Sequence, residues 1–193
     1  MKTTFAMTTL LSSAAAFAGP MPFMIFENAD SVVTDHLHLG VEAFDAGGSI
    51  DFVLTNASAG PGVITSLLIE NSTVTSGLTF SELIGPDWSA GGHANPPGSI
   101  DHSTGWAGTF MSFRADPSPV HNGLDAGDSL TLRFDLNGAS FADAYEAFAN
   151  SDFHFVAHIQ AIGASSVWGV NVPTPASALM LGMAGIAASW RRR

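Results

Sequence analysis

Histidine is the residue type in this chain best suited to bind a transition metal, and four histidines have a regular spacing. His36 and His38 are two residues apart, so they share one face of an extended strand. His154 and His158 share a face of another strand, and imidazoles on neighbouring strands could converge as a zinc or copper site requires. However, His154 and His158 would lie about 13 Å apart at about 3.3 Å per residue. We therefore interpret the histidines as polar residues on solvated faces and predict no metal site.

Carboxylates offer a second kind of chemistry. Asp125 and Asp128 are the best local pair for calcium, but they lack the dense Asp repeat of a dedicated calcium loop, and a turn before a strand explains them equally well. A glycosidase needs two carboxylates at a set distance, but among 17 acidic residues some pair always has that spacing, so the pattern does not indicate a glycosidase. The sequence also lacks the Gly-x-Ser-x-Gly motif of serine hydrolases. We predict no catalytic residue and no cofactor. A secreted hydrolase stays open as a third interpretation, because a Ser/His/Asp triad need not be local in sequence.

Tryptophans offer a third kind of chemistry, the binding of carbohydrate. Trp88 and Trp106 lie in or beside a region rich in Gly and Pro, with His93 and His102 between them. Exposed aromatic rings in loops can stack on sugar rings. Alternatively, these rings plug the ends of the fold, since tryptophan buries a large area wherever it can. We name Trp88 and Trp106 as candidates for ligand stacking, so a surface carbohydrate- or calcium-binding module is the second functional interpretation.

The elements that must position these residues are mostly strands. Residues 129–136 and 152–162 alternate between apolar and polar side chains. One helix is predicted over residues 140–149, with Ser140 as its N-cap and Asp143 at the third position. Further strands are predicted over residues 35–44, 49–56, 63–70, 106–113 and 165–172, and a long irregular loop over 85–105. This order predicts a mainly β fold, an antiparallel β-sandwich-like domain with one short helix, followed by a C-terminal hydrophobic helix.

The chain is strongly acidic. All 17 acidic residues lie between Glu27 and Asp152, where only Arg114 and Arg133 are basic. This charge disfavours nucleic acid and anionic lipid surfaces as partners. The chain has no cysteine, so it has neither disulfides nor thiol chemistry, and its stability must come from packing.

The first 18 residues predict a secretory signal peptide. Lys2 supplies a positive charge, residues 5–17 are mostly apolar, and Ala16 and Ala18 form an A-x-A site for signal peptidase. We therefore predict an exported protein whose body covers residues 19–171.

Residues 172–193 have the pattern of a membrane-targeting tail. A proline-containing motif precedes an uncharged segment over residues 176–190, which would form a helix of about 22 Å at about 1.5 Å per residue. This is shorter than a hydrocarbon core of roughly 30 Å, so the segment suits a transient membrane stop better than a permanent anchor. A terminal basic cluster should stay cytoplasmic. The motif consists of Val172, Pro173, Thr174 and Pro175, and the basic cluster of Arg191, Arg192 and Arg193.

This tail resembles that of the PEP-CTERM proteins of Gram-negative bacteria, which carry a Pro-Glu-Pro motif, one hydrophobic helix and terminal arginines. Thr174 stands where the family has Glu, and the resemblance covers residues 172–193 alone. It implies recognition by an exosortase-type transpeptidase at the inner membrane, cleavage near residues 173–175, and passage to the cell surface or extracellular matrix. It further implies a structural or adhesive role there, alongside exopolysaccharide, for a chain that is the substrate of an enzyme and not itself an enzyme.

Overall fold

The computed structural model describes residues 19–27, 30–91, 100 and 105–173, and this part of the chain is mainly β. It contains two helices, α1 (Pro119–Asn122) and α2 (Phe141–Ala149), and a 3-10 turn over Thr75–Gly77. The strands are β1 (Met21–Glu27), β2 (Leu39–Asp45), β3 (Ser49–Asn56), β4 (Val63–Glu70), β5 (Thr79–Ile84), β6 (Trp88–Ala90), β7 (Thr109–Ala115), β8 (Ser129–Asp135), β9 (Phe155–Ile162) and β10 (Ser165–Asn171).

The strands form one antiparallel sheet in the order β5-β8-β3-β2-β1-β10-β9-β4-β7-β6. The first and last strands are therefore neighbours at its centre. β1 pairs with β2 only through Met21 and Pro22, and with β10 from Phe23 to Glu27. β1 thus joins two halves of the sheet. We call β2, β3, β5 and β8 the first half, and β4, β6, β7, β9 and β10 the second half.

The two halves face each other across one hydrophobic core. Phe52 of β3 and Phe134 of β8 come from the first half, and Phe113 of β7 and Phe155 of β9 come from the second; each is at most 1% exposed. The ring centroids of Phe52 and Phe155 are 5.0 Å apart, and those of Phe113 and Phe134 are 6.4 Å apart. Because alternate side chains of each strand fill this core, the intervening ones form two outer faces that are free for other roles.

Helix α2 packs its apolar side against the same core. Its N-cap is Ser140, whose hydroxyl accepts a hydrogen bond from the Asp143 N–H at 3.1 Å and donates one to the Asp143 carboxylate at 2.7 Å. This satisfies an N–H that would otherwise lack a partner at the helix start. Phe148 is buried and lies 5.3 Å from the Phe52 ring. The predicted helix and its cap are therefore confirmed.

The mainly β, antiparallel fold predicted from the sequence is also confirmed. β3 and β4 have the predicted bounds, and β8, β9 and β10 lie within their predicted ranges. The curled sheet fits the description of a two-sheet sandwich only loosely, because β1 pairs with both halves.

Several elements differ from the prediction. The strands β1, β5 and β6 and the short helix α1 were not predicted. β2 begins at Leu39, four residues after the predicted start, and β7 is displaced toward Ala115. β1 lacks an alternating pattern because Met24 and Phe26, which face away from the core, are apolar too. In β5 a register shift between Phe80 and Glu82 breaks the alternation.

Two predicted segments lie outside the described residues: the signal peptide, residues 1–18, and the C-terminal hydrophobic helix, residues 176–190. In the part of the chain that the structure describes, no helix combines the length and apolar character needed to cross a bilayer.

Candidate functional site

The outer faces of the two halves differ in charge. The face of the first half carries the carboxylates of Glu42, Asp51, Glu82 and Asp135. On the other half, Glu70 contributes the one carboxylate among the described outward side chains of β4, β7, β9 and β10, and it is 5% exposed. We call the outer surface of the first half the first outer face, and that of the second half the second outer face. The main members of the second outer face are Ser66, Leu68, Glu70, Ser112, Arg114, His154, Val156, His158, Trp168 and Val170.

Five side chains form a row across the second outer face. Trp168 of β10 lies opposite His158 of β9, and His158 lies opposite Ser66 of β4. Ser66 in turn lies opposite Arg114 of β7, which lies opposite Ser89 of β6. Directly opposed residues have Cβ atoms about 4.5–5.5 Å apart, so each side chain reaches the next. We call these five residues the cross-strand row.

The row begins with two stacked rings. The centroids of His158 and Trp168 are 4.4 Å apart and their planes differ by 19°. Both side chains are half-buried. Burial lowers the pKa of His158 below its usual value, because desolvation disfavours the charged imidazolium. A neutral imidazole carries one donor and one acceptor, so His158 can exchange both kinds of hydrogen bond with a ligand.

Arg114 is the exposed cation of the row. The other arginine of the body, Arg133, lies on the first outer face and contacts Asp51 through Nε and Nη2 at 2.7 and 2.8 Å, and Glu82 through Nη1 at 2.9 Å. Hydrogen bonds to Asp51 and the charge of that carboxylate raise the pKa of Arg133. By contrast, no carboxylate of the described residues forms an ion pair with Arg114. The guanidinium of Arg114 is therefore free to bind an external group.

Glu70 and His154 form a buried pair beside the row. The Glu70 Oε2 atom lies 2.6 Å from His154 Nδ1 and accepts the His154 backbone N–H at 3.1 Å, while Oε1 accepts the Ala107 N–H at 2.7 Å. The Glu70 carboxyl group and the His154 imidazole therefore share one hydrogen bond. A carboxylate that orients an imidazole is one part of a hydrolytic site, but no described hydroxyl hydrogen-bonds to this imidazole. The pair holds the Ala107 segment against β4 and β9.

A small apolar cluster adjoins the row. Leu68, Val156 and Val170 of the second outer face are buried beneath Ile100, and Phe26, Trp106 and Trp168 pack around them. Ile100 and Trp106, which lie in sequence between β6 and β7, therefore cover part of the face. The cross-strand row lies at the side of the covered part.

The structure assigns different positions to the two tryptophans predicted to stack on a ligand. Trp88 is 7% exposed and belongs to the main core, so its ring has no free face for a sugar, and the prediction for Trp88 is wrong. Its Nε1 atom is buried without a hydrogen-bond partner among the described atoms. Trp106 is half-buried at the apolar cluster, and its role in stacking stays a prediction.

The histidines are not brought together. His36 and His38 precede β2 and do not lie within a strand as predicted; the His36 Nε2 atom is 2.7 Å from the Pro61 carbonyl oxygen. β1 and β10 separate β2 from β9, which carries His158. Within the described ranges, no three His, Asp or Glu side chains are grouped as a metal site needs.

Asp125 and Asp128 form a turn. The Asp128 carboxylate accepts the Asp125 N–H at 3.0 Å, and the Asp128 N–H donates to the Asp125 carbonyl. The turn hydrogen bond explains why residue 128 is aspartate, whereas Asp125 contributes only backbone groups to it.

A shallow cleft of about 530 Å³ lies at the β9–β10 hairpin. Gln160, Ser165, Ser166 and Asp30 contribute its polar side chains, and the Ser165 hydroxyl donates to the Asp30 carboxylate at 2.5 Å. The residues that line the cleft include no Lys or Arg, so the cleft lacks a cation like Arg114.

The predicted processing motif begins where the sheet ends. Asn171 is fully buried at the end of β10, the Val172 N–H donates to the Pro22 carbonyl at 2.9 Å, and Pro173 is exposed. Thr174, Pro175, the arginines 191–193, and Ala16 and Ala18 of the predicted cleavage site lie outside the described residues.

Sequence reasoning missed the cross-strand row and the buried pair. The pairing of His158 with Trp168 depends on a register shift between Ser165 and Val167, which the sequence does not show. The hairpin between β9 and β10 itself was within reach, because Gly163 lies between two predicted strands. The neighbourhood of Ser66 and Arg114 was not, because β4 and β7 are far apart in the chain. No protein-family model matches this chain, and neither the curated proteins nor the solved structures contain a significant match.

Proposed function

We propose that this chain is an exported bacterial envelope protein with a structural or adhesive role at the cell surface or in the extracellular matrix. The observation that carries the proposal is the pattern of residues 172–193, a proline-containing motif, an uncharged segment and a terminal arginine cluster. In this proposal, signal peptidase removes residues 1–18. An exosortase-type transpeptidase then recognises the tail while it is transiently held in the inner membrane.

The bounds of the fold support this proposal. β1 begins at Met21, three residues after Ala18, and β10 ends at Asn171, just before the motif. Cleavage after Ala18 and near residues 173–175 would therefore leave every described strand in place. The exposed Pro173 begins a segment that a processing enzyme could bind in extended form, because prolines prevent helix continuation there.

The relative position of the two ends gives further support. The Val172 N–H donates to the Pro22 carbonyl, so the chain enters and leaves the fold at one place. A signal peptide and a membrane tail attached at that place would emerge from the same end of the protein. Both segments could then be held by one membrane without strain on the sheet.

The test is the intact mass of the protein recovered from the surface of the native bacterium. We expect an N-terminus at Gly19 and a C-terminus close to Pro175. Arg193 retained on the surface-displayed protein would overturn the proposal.

Replacing the three terminal arginines by alanine should reduce processing, since these positive charges keep the C-terminus on the cytoplasmic side of the membrane.

A matched variant tests the motif itself. Thr174→Glu restores the family residue at the one discordant position, and we expect it to be processed at least as well as the natural chain. Pro175→Ala removes a motif proline and should be processed more slowly. Equal processing of both variants would mean that the enzyme does not recognise this motif.

A further inference from the structure

We propose that the second outer face binds an extended polysaccharide that carries carboxylates at intervals, with Arg114 as the partner of one carboxylate. The proposal deepens the one above and rests on it, since a surface location is what brings the chain to envelope polysaccharide. Ser66, Ser89 and His158 would bond to the hydroxyls of the same polymer.

The first step is the availability of Arg114. The side chain is exposed and has no ion-pair partner among the described residues. Glu70 is bonded to His154 and Ala107, and Asp116 accepts a hydrogen bond from the Ser89 hydroxyl at 2.6 Å, so neither carboxylate pairs with Arg114. A planar guanidinium with free donors is well matched to a carboxylate, which it can bind through two parallel hydrogen bonds.

The second step is the length of the row. From β10 to β6 it crosses four gaps between strands, which is about 19 Å at about 4.8 Å per gap. Polar side chains in a line of this length suit an extended polymer better than a small ion. His158 and Trp168 stack on each other, so one face of each ring is covered by the other ring. We expect contacts at that end to be mainly hydrogen bonds to the imidazole of His158.

The third step is the density of charge that one arginine can match. Double-stranded DNA carries one charge per about 1.7 Å, hence about eleven charges along 19 Å. A single guanidinium cannot neutralise these, so the row does not suit nucleic acid. A polysaccharide with one carboxylate per sugar or per repeat presents far fewer charges over the same length.

The acidity of the whole chain does not prevent this contact. The carboxylates of the first outer face lie on the far side of the core, and two packed sheets are themselves about 10 Å apart. The outward side chains increase that separation, whereas the Debye length at physiological salt is about 8 Å. Repulsion from that face is therefore largely screened at the row.

The experiment uses the full chain, purified in mild detergent, and affinity electrophoresis with polygalacturonate as the probe. The methyl-esterified form of the same polymer is the matched neutral probe. We expect retardation by polygalacturonate, and weaker retardation as its carboxylates are esterified. Arg114→Gln should weaken binding about tenfold or more, and Arg114→Lys should restore part of it.

Thr131→Glu is the matched control variant, because it makes the same change in net charge on the first outer face. It should bind polygalacturonate like the natural chain. The proposal is overturned if polygalacturonate does not retard the chain, if both polymers retard it equally, or if Arg114→Gln and Thr131→Glu behave alike. This measurement does not depend on processing, so a failure here leaves the C-terminal mass test intact, and a failure of sorting leaves binding intact.

Discussion

Glu70 is the residue whose exchange should be most costly on the second outer face. Its carboxylate accepts two backbone N–H groups and contacts a ring nitrogen while being 5% exposed. In Glu70→Gln, the side-chain NH2 must face one of these donors, and a buried donor left without an acceptor costs about 1–3 kcal/mol. We expect a loss of that size in the free energy of unfolding, measured by urea denaturation.

Glu42→Gln provides the control for Glu70. Glu42 is outward-facing on β2 and only partly buried, so its exchange should change the free energy of unfolding by less than about 0.5 kcal/mol. Equal effects of the two variants would show that the buried hydrogen bonds of Glu70 do not stabilise the fold.

His158 should make the stability depend on pH. Its pKa in the folded protein is lowered by burial, whereas the unfolded chain has the usual value of about 6.5. Below about pH 6.5 the unfolded state therefore binds the proton first, and the free energy of unfolding falls until the lower folded pKa is reached. From pH 7 to pH 5, the natural chain should lose more stability than His158→Gln.

The measurement is urea denaturation at pH 7, 6 and 5. His121→Gln is the control, because His121 is exposed on α1 and its exchange should keep the pH dependence of the natural chain. A His158→Gln variant with the same pH dependence as the natural chain would contradict the burial of a neutral imidazole.

At the scale of elements, the cap of α2 is the feature most easily tested. Ser140→Ala removes the acceptor of the Asp143 N–H and should destabilise the fold by about 1 kcal/mol. Ser140→Thr keeps a hydroxyl at the same position and should recover most of this loss. Urea denaturation of both variants measures the difference, and equal stability of the two would mean that the hydroxyl does not cap the helix.

The sequence predicts elements well where one face of a strand is polar. β8 alternates because one side packs on the core and the other is partly exposed. β9 follows the same pattern except at Val156, which is outward-facing but buried beneath Ile100. β1 could not be found in this way, since Met24 and Phe26 make its outward side apolar. β6 has only three residues, which is too short for a pattern to appear.

The candidate site depends on strand order, which local sequence does not encode. The sequence shows that Arg114 is one of only two arginines of the body. Its position beside Ser66 could not be predicted, because that position arises from pairing between distant strands. Trp88 was misjudged for a related reason. Its flanking Gly and Pro indicate loop, yet the residue begins β6 and points into the core.

At the scale of the whole molecule, the place of β10 makes truncation informative. A chain that ends after Pro173 keeps all described strands and should unfold at the same urea concentration as the full chain. A chain that ends after Ser166 loses the partner of both β1 and β9, together with the buried Val167 and Asn171. We expect it not to fold, because this loss exceeds a typical stability of about 5–15 kcal/mol.

Circular dichroism and urea denaturation distinguish these two truncated chains. A chain lacking residues 1–18 is the control at the other end and should fold like the full chain. Cooperative unfolding of the chain that ends after Ser166 would contradict the central position of β10.

The pairing of Phe23 with Asn171 also means that the sheet can form fully only after the last strand has been synthesised. Synthesis produces β1 among the first strands and β10 last, so the apolar β1 lacks its main partner until nearly the whole chain exists. Contacts between such distant residues make folding slow, and unpaired strand edges favour aggregation in the meantime. A nascent chain of this topology therefore exposes the edge of β1 until its final strand has been synthesised.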